Sequence, residues 1–194
     1  VEITSQLVAT LARARGKEHF VLDVGDGKGY LSSRLAIEFN LKVLGVDGNL
    51  MNSVEALKRN EKLSIVWKHL VKRGAKRSEL EEVPELTPPD PNLYRTTSAM
   101  IYDDTDLIKL IEEAYPDEVV GDICLAGLHT CGNLGANTLR QFINNDKIKV
   151  VMSIPCCFNL IHEEFVRDYF NDIERANEVP GNFGFPMSDY LRKK

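Results

Sequence analysis

Three glycines at alternate positions, Gly25, Gly27 and Gly29, lie in the run Val21-Leu22-Asp23-Val24-Gly25-Asp26-Gly27-Lys28-Gly29-Tyr30-Leu31. An apolar run precedes them and a helix-like pattern follows. Gly25 and Gly27 permit backbone conformations closed to other residues and let a ligand touch the main chain, while Gly29 lets a helix pack close to the preceding strand. Such a loop suits a nucleotide, although a ligand-free strand-to-helix turn can be built the same way. Asp47 favours the ligand. It ends a second apolar run, Val43-Leu44-Gly45-Val46-Asp47, about twenty residues after the loop, where an acidic side chain meets the ribose hydroxyls of an adenosine cofactor. An ordinary solvated strand-end aspartate is the alternative.

A second group of reactive residue types lies further on. Leu125-Ala126-Gly127-Leu128 leads into His129-Thr130-Cys131-Gly132, and Ser153-Ile154-Pro155 leads into Cys156-Cys157. Three chemistries compete for these residues. Zinc could take three thiols and His129 or His162, but there is no C-x-x-C pair, and neighbouring cysteines in extended backbone point apart. No metal site is expected. Nucleophilic catalysis would need a thiolate on Cys131 or Cys156, with His129 as the nearest base in sequence. The blandest reading makes the cysteines small apolar fillers beside a substrate pocket, and Cys124, inside an apolar run, fits it best.

Both groups work only if the chain brings strand ends together. Thr4 and Ser5 read as N-caps of a helix whose face carries Leu7, Val8 and Leu11 and which closes at Gly16. The pattern then alternates: strand 20–24, helix 31–39, strand 41–46, helix 52–63, strand 97–102, helix 106–114, strand 123–128, helix 134–144, strand 150–154 and helix 161–170. An exposed insertion is expected at 68–95. It opens with Lys68, Lys72, Arg73, Lys76 and Arg77, continues with Glu79, Glu81, Glu82 and Glu85, and turns through four prolines between Pro84 and Asn92. Trp67 beside this basic run could stack on a base, or simply pack. Strands separated by helices predict an α/β fold with a mostly parallel sheet, helices on both faces and the order 3-2-1-4-5. Ligands then bind beyond the carboxyl ends of the strands.

The chain has 194 residues, 43% of them hydrophobic and 27% charged. That suits one domain spanning 1–194 and excludes disorder. A net charge of -5 rules out a wholly polycationic surface, so contact with nucleic acid would be local. No apolar run approaches the roughly 18 residues of a membrane span. Four cysteines set in or just after apolar runs suggest reduced thiols and an intracellular address, cytoplasmic or nuclear. The first residue is Val1, as in a piece of a longer protein.

The G-x-G-x-G spacing, with Asp23 two residues ahead, resembles motif I of the class I S-adenosylmethionine (AdoMet) methyltransferases rather than the G-x-G-x-x-G of dinucleotide loops. The resemblance implies a Rossmann-like fold with AdoMet as cofactor. It places Gly25, Gly27 and Gly29 against the cofactor, Asp23 near the methionine amino group and Asp47 on the ribose. Gly48 and Asn49 would border the adenine, and Asp103 or Asp104 would meet its amino group. Asp26 stands where that family carries a small residue, and is expected to approach the methionine carboxylate unless Lys28 or backbone amides offset it. Cysteines after strands four and five are placed as in RNA cytosine-C5 methyltransferases, where one attacks the base and one aids release.

A wider pattern narrows the resemblance. Lys28-Gly29-Tyr30-Leu31-Ser32, Leu128-His129-Thr130-Cys131-Gly132-Asn133-Leu134, Cys156-Cys157 and Gly184-Phe185-Pro186-Met187-Ser188 occur in this order. The set resembles the eukaryotic methyltransferase-like family that includes proteins named ribosomal RNA adenine dimethylase domain-containing. It is more distantly similar to tRNA ribose 2′-O-methyltransferases, which share a His-x-Cys-Gly and Cys-Cys pattern. The resemblance implies an RNA substrate first and a protein substrate second. Adenine N6 chemistry is disfavoured, because His129-Thr130-Cys131-Gly132 replaces the Asn/Asp-Leu/Pro-Pro-Tyr/Phe motif. The chain also stops soon after Ser188, before the family's usual sixth and seventh strands. A methyltransferase-like binding module without turnover is the rival expectation, favoured by Asp26 and the absent N6 motif and opposed by Asp23, Asp47 and the three glycines.

Overall fold

A computed structural model describes residues 1–14, 19–77, 89–164 and 183–193. Five strands, β1 (Phe20–Val24), β2 (Val43–Asp47), β3 (Tyr94–Ser98), β4 (Ile123–Leu128) and β5 (Ile148–Ile154), form one sheet in the order β3-β2-β1-β4-β5. Every pairing is parallel. This is a Rossmann-like α/β fold with the expected strand order. Helix α1 (Glu2–Arg13) precedes β1, crossovers supply α2 (Tyr30–Phe39), α3 (Leu50–Arg77), α4 (Leu107–Ala114) and α5 (Asn133–Asn144), and a short α6 (Asp189–Arg192) follows.

Strand side chains alternate between two cores, because successive Cβ atoms leave opposite faces of a sheet. Phe20, Leu22, Val24, Leu44, Val46, Ile123 and Leu125 meet Leu107 and Ile111 of α4, with Leu134 and Phe142 of α5 packed alongside. Val21, Val43, Cys124 and Ala126 meet Val8 and Ala12 of α1, Leu31 and Leu35 of α2, and Ala56 of α3. Each fully buried leucine or valine contributes about 1.5–3 kcal/mol of transfer free energy. The central strands carry most of them, so β1 and β4 hold their carboxyl-end loops on the most rigid part of the sheet.

Four expectations are corrected. Helix α1 begins at Glu2 and packs through Thr4, Ser5, Val8, Ala9 and Ala12, leaving Leu7 and Leu11 exposed. Small side chains allow this close approach, and Ser5 bonds back to the Glu2 carbonyl at 2.8 Å instead of capping. Strand β3 runs 94–98, three residues earlier than its apolar pattern suggests, because buried Tyr94 anchors it opposite Val43. Helix α3 is 28 residues long and continues past residue 63 to Arg77. Residues 61–73 are mostly good helix formers, which outweigh the charge run. The expected insertion is therefore helical at 68–77 and strand at 94–95; its acidic run lies outside the described residues. Residues 161–164 form no helix, and Glu163 bridges instead to Phe185. The rest of the helix expected at 161–170, and Gly16, also lie outside the described residues.

Candidate active site

The carboxyl end of β1 turns through Gly25, Gly27 and Gly29, at φ 74°, 59° and 68°, angles that side-chain-bearing residues rarely adopt. The Gly25 and Asp26 amides donate to the Val46 carbonyl at 2.8 and 3.2 Å, which fastens the loop to β2. A Cβ on Gly27 would meet nothing closer than the Gly25 carbonyl at 3.9 Å, so this side of the loop faces open space. Gly29 faces inward. A Cβ there would come within 2.6 Å of the Tyr94 hydroxyl and 2.9 Å of the Ala56 side chain.

Asp47 joins this loop to the next. Its Oδ2 accepts from the Gly27 amide at 2.9 Å, and its Oδ1 accepts from the Asn49 amide at 2.8 Å and from the Asn52 side chain at 3.0 Å. The carboxylate stays half-exposed, and Gly48 and Asn49 beside it are exposed. Met100 lies over Gly48, with its sulfur 2.5 Å from where a Cβ would stand. Nothing in the sequence pattern singles out Met100, because it follows a strand whose end was misplaced. Asp103 and Asp104 are exposed in the next turn. Gln141 of α5 holds that turn by donating to the carbonyls of Tyr102, Asp103 and Thr105 at 2.9, 3.2 and 2.7 Å. Among the described residues, no hydrogen bond joins either aspartate side chain to the glycine loop.

Asp23 and Asp26 lie beneath the loop rather than in front of it. Asp23 is 1% exposed and accepts from the Ser32 hydroxyl at 2.8 Å. Burial, then the charge of Asp26, raises its pKa well above the ordinary carboxylate range. The Asp26 carboxylate lies against Gly45 of β2, which has no Cβ to block it, and accepts from the Tyr94 hydroxyl. Burial pushes its pKa up to about 6, against the opposing hydrogen bond from Tyr94. The Tyr94 hydroxyl is pushed up in turn, by burial and then by Asp26. The expectation that Asp26 points at a ligand carboxylate is therefore corrected: the space opposite Gly45 receives its side chain, where its charge raises the pKa of Asp23.

Strands β4 and β5 end side by side, with Gly127 opposite Ser153 and Leu128 opposite Ile154. Buried Thr130 and half-buried Ser153 join through their hydroxyls at 2.8 Å. Beyond them three sulfurs converge: Cys131 Sγ is 2.9 Å from Cys156 Sγ, which is 3.4 Å from Cys157 Sγ. The expectation that Cys156 and Cys157 point apart fails because β5 stops at Ile154, and the alternation rule ends with the strand. The contact with Cys156 lowers the pKa of Cys131 and pushes that of Cys156 up to about 12. His129 is exposed at φ 70°, and neither it nor His162 belongs to the thiol group.

The segment Gly184–Ser188 straps this corner. Arg140 of α5 donates to the carbonyls of Phe183, Pro186 and Met187 at 2.8, 3.2 and 3.3 Å. The Gly184 amide donates to the His162 carbonyl at 2.8 Å, and the His162 amide donates to the Asn133 side chain at 2.8 Å. Arg140 and Asn133 were not legible as site residues, because their partners are main-chain carbonyls and amides distant in sequence.

Among the described residues, no helix is long and apolar enough to cross a membrane. The probable methyltransferase-like protein 25 of Homo sapiens and that of Mus musculus are each 26% identical to this chain, over 299 and 291 residues. Both alignments take in the whole chain, which spans about half the length of these curated relatives, 47% and 48%. A SAM-dependent methyltransferase from Geobacter sulfurreducens, solved in complex with S-adenosyl-L-homocysteine, is similar at a TM-score of 0.42 and 15% identity, over 76% of this chain and 47% of that one. The sequence pattern of a methyltransferase-domain family matches residues 1–164. A match over that much of the chain settles membership: the protein belongs to this methyltransferase-domain family.

Proposed function

We propose that this domain is an AdoMet-dependent methyltransferase whose acceptor is RNA. One observation carries the cofactor reading: the half-exposed Asp47 carboxylate and the open side of Gly27 are joined by a 2.9 Å hydrogen bond at neighbouring strand tips. Family membership supports the same reading. The residues fit the group, because the glycines offer backbone without side chains and Asp47 Oδ2, which accepts one hydrogen bond, keeps an acceptor site for a ribose hydroxyl. AdoMet, when bound, supplies an electrophilic methyl group on a sulfonium.

The chain's own residues bind and orient. Gly25, Gly27 and Gly29 shape the loop, and Gly48, Asn49 and Met100 border the adenine side, with Asp103 or Asp104 at its far edge. Asp23 acts as a positioning residue, tying the start of α2 to β1 through Ser32. Holding acceptor and methyl donor in line lowers the entropic part of the barrier, and this positioning supplies most of the acceleration. His129, exposed at the end of β4, is the candidate general base, and Cys131 and Cys156 border the acceptor side. Four unpaired thiols suit a reducing address in the cytoplasm or nucleus.

The acceptor reading rests on chemistry at the loop's mouth. Tyr30, 52% exposed, has the Arg59 guanidinium 4.1 Å from its ring centroid, and Lys28 is exposed beside it. An aromatic face backed by a cation and flanked by a lysine suits a stacked base and its phosphate. Radiolabelled AdoMet, supplied with the full-length protein to total RNA and total protein from cells lacking the parent gene, tests this. Label should enter RNA and fall at least tenfold with Tyr30→Ala. Label in protein alone would overturn the acceptor reading, and label in neither would overturn the enzyme.

A further inference from the structure

We propose that Cys131, Cys156 and Cys157 together bind one zinc ion through three thiolates, with a fourth coordination position open to solvent. The three sulfurs lie within 4.8 Å of one another, and two separations are 2.9 and 3.4 Å. Tetrahedral zinc with bonds of about 2.3 Å spaces its sulfurs about 3.8 Å apart. Movements of well under about 1 Å per sulfur bring this set to that spacing, which side-chain rotation supplies. A four-iron cluster, with one iron per thiolate, would need its sulfurs spread more widely.

The scaffold holds the thiols without help from an ion. Cys131 comes from the β4–α5 loop and the other two from the segment after β5. These are fastened by the His129 amide on the Ile154 carbonyl at 2.9 Å and by the Thr130–Ser153 hydroxyl pair at 2.8 Å. The Leu160 amide also donates to the Cys157 carbonyl, at 3.2 Å. A site whose ligands are already placed binds without ordering loops first. Charge is favourable as well. Each thiol gives up its proton on binding, so a divalent ion with three thiolates carries a net charge of -1, and the 12-residue helix α5 starts at Asn133 with its positive end beside Cys131.

The open position follows from the ligand count. Among the described residues, no histidine or carboxylate completes the group, and Cys156 is exposed. Three protein ligands and one open position mark zinc sites that take up an outside donor, rather than closed structural ones. This one would sit where β4 and β5 end. It does not depend on the AdoMet reading, since a protein that binds no AdoMet could still hold zinc here.

Elemental analysis of the full-length protein, purified under reduction and without chelators, decides the matter together with cobalt substitution. About one zinc per chain is expected, and the cobalt form should show an intense thiolate-to-cobalt charge-transfer band. Cys156→Ser, at an exposed position, should leave the fold intact and lower zinc occupancy at least tenfold, while Cys124→Ala, in the core, should retain it. Less than about one-tenth zinc per chain in the reduced protein, or an intact mass showing a Cys131–Cys156 disulfide under those conditions, would overturn the proposal. So would stoichiometric zinc that survives Cys156→Ser.

Discussion

Asp26 is the residue on which the local electrostatics turn. Its pKa in the fold is about 6 against an ordinary 3.8, so between those values the native state holds a proton that the unfolded chain has lost. Stability therefore falls as pH rises from about 4 to about 6, by up to about 3 kcal/mol. Asp26→Asn keeps an acceptor for Tyr94 and removes the charge. Urea denaturation should find it more stable than the parent at pH 7, by about 1–3 kcal/mol, with no such gain at pH 4. Gly29→Ala combines a φ of 68° with a clash against Tyr94 and Ala56, and should cost about 2–4 kcal/mol in the same assay. The presence of Asp26 in the loop was plain in the sequence, but its direction was not: Gly45 makes the space, and no pattern within the loop points across to β2.

At the scale of elements, the central strands were legible because each is a short apolar run between turn residues. The edges were not. Tyr94-Arg95-Thr96-Thr97-Ser98 lacks an apolar run, since an edge strand needs to bury little, and only Tyr94 gives it away. Helix α3 was read short because its second half is charged, yet charge is compatible with an exposed helix. Its direction has a consequence for RNA. The helix starts beside Asp47, and at 1.5 Å per residue Lys68 lies about 27 Å along the axis from Leu50. Lys68, Lys72 and Arg73 are exposed there, so any phosphate contact they make is remote from the methyl-transfer end. Reversing all three to Glu should weaken RNA binding equally across sequences and flatten its salt dependence, with stability changed by no more than about 0.5 kcal/mol. Unchanged affinity in a filter-binding titration would remove α3 from the interface.

For the whole molecule, right-handed crossovers limit the orders that a parallel sheet can take without any side-chain detail, and β3-β2-β1-β4-β5 is one of the few that alternation allows. The thiol corner could not. It depends on a chain turn after Ile154 and on bonds between segments distant in sequence, such as the Thr130–Ser153 hydroxyl pair. Asp26 and the absent N6 motif favour the binding-module rival, and the share that Asp26 lends it weakens with the carboxylate beneath the loop. The central claim is that the tips of β1 and β2 hold an adenosyl group through the Gly27 backbone and Asp47. Titration calorimetry of the full-length protein with S-adenosylhomocysteine tests it most directly. Saturable one-to-one binding that weakens about 10–100-fold in Asp47→Ala is the predicted result; no detectable heat with the folded parent protein, or equal affinity in the variant, would contradict it.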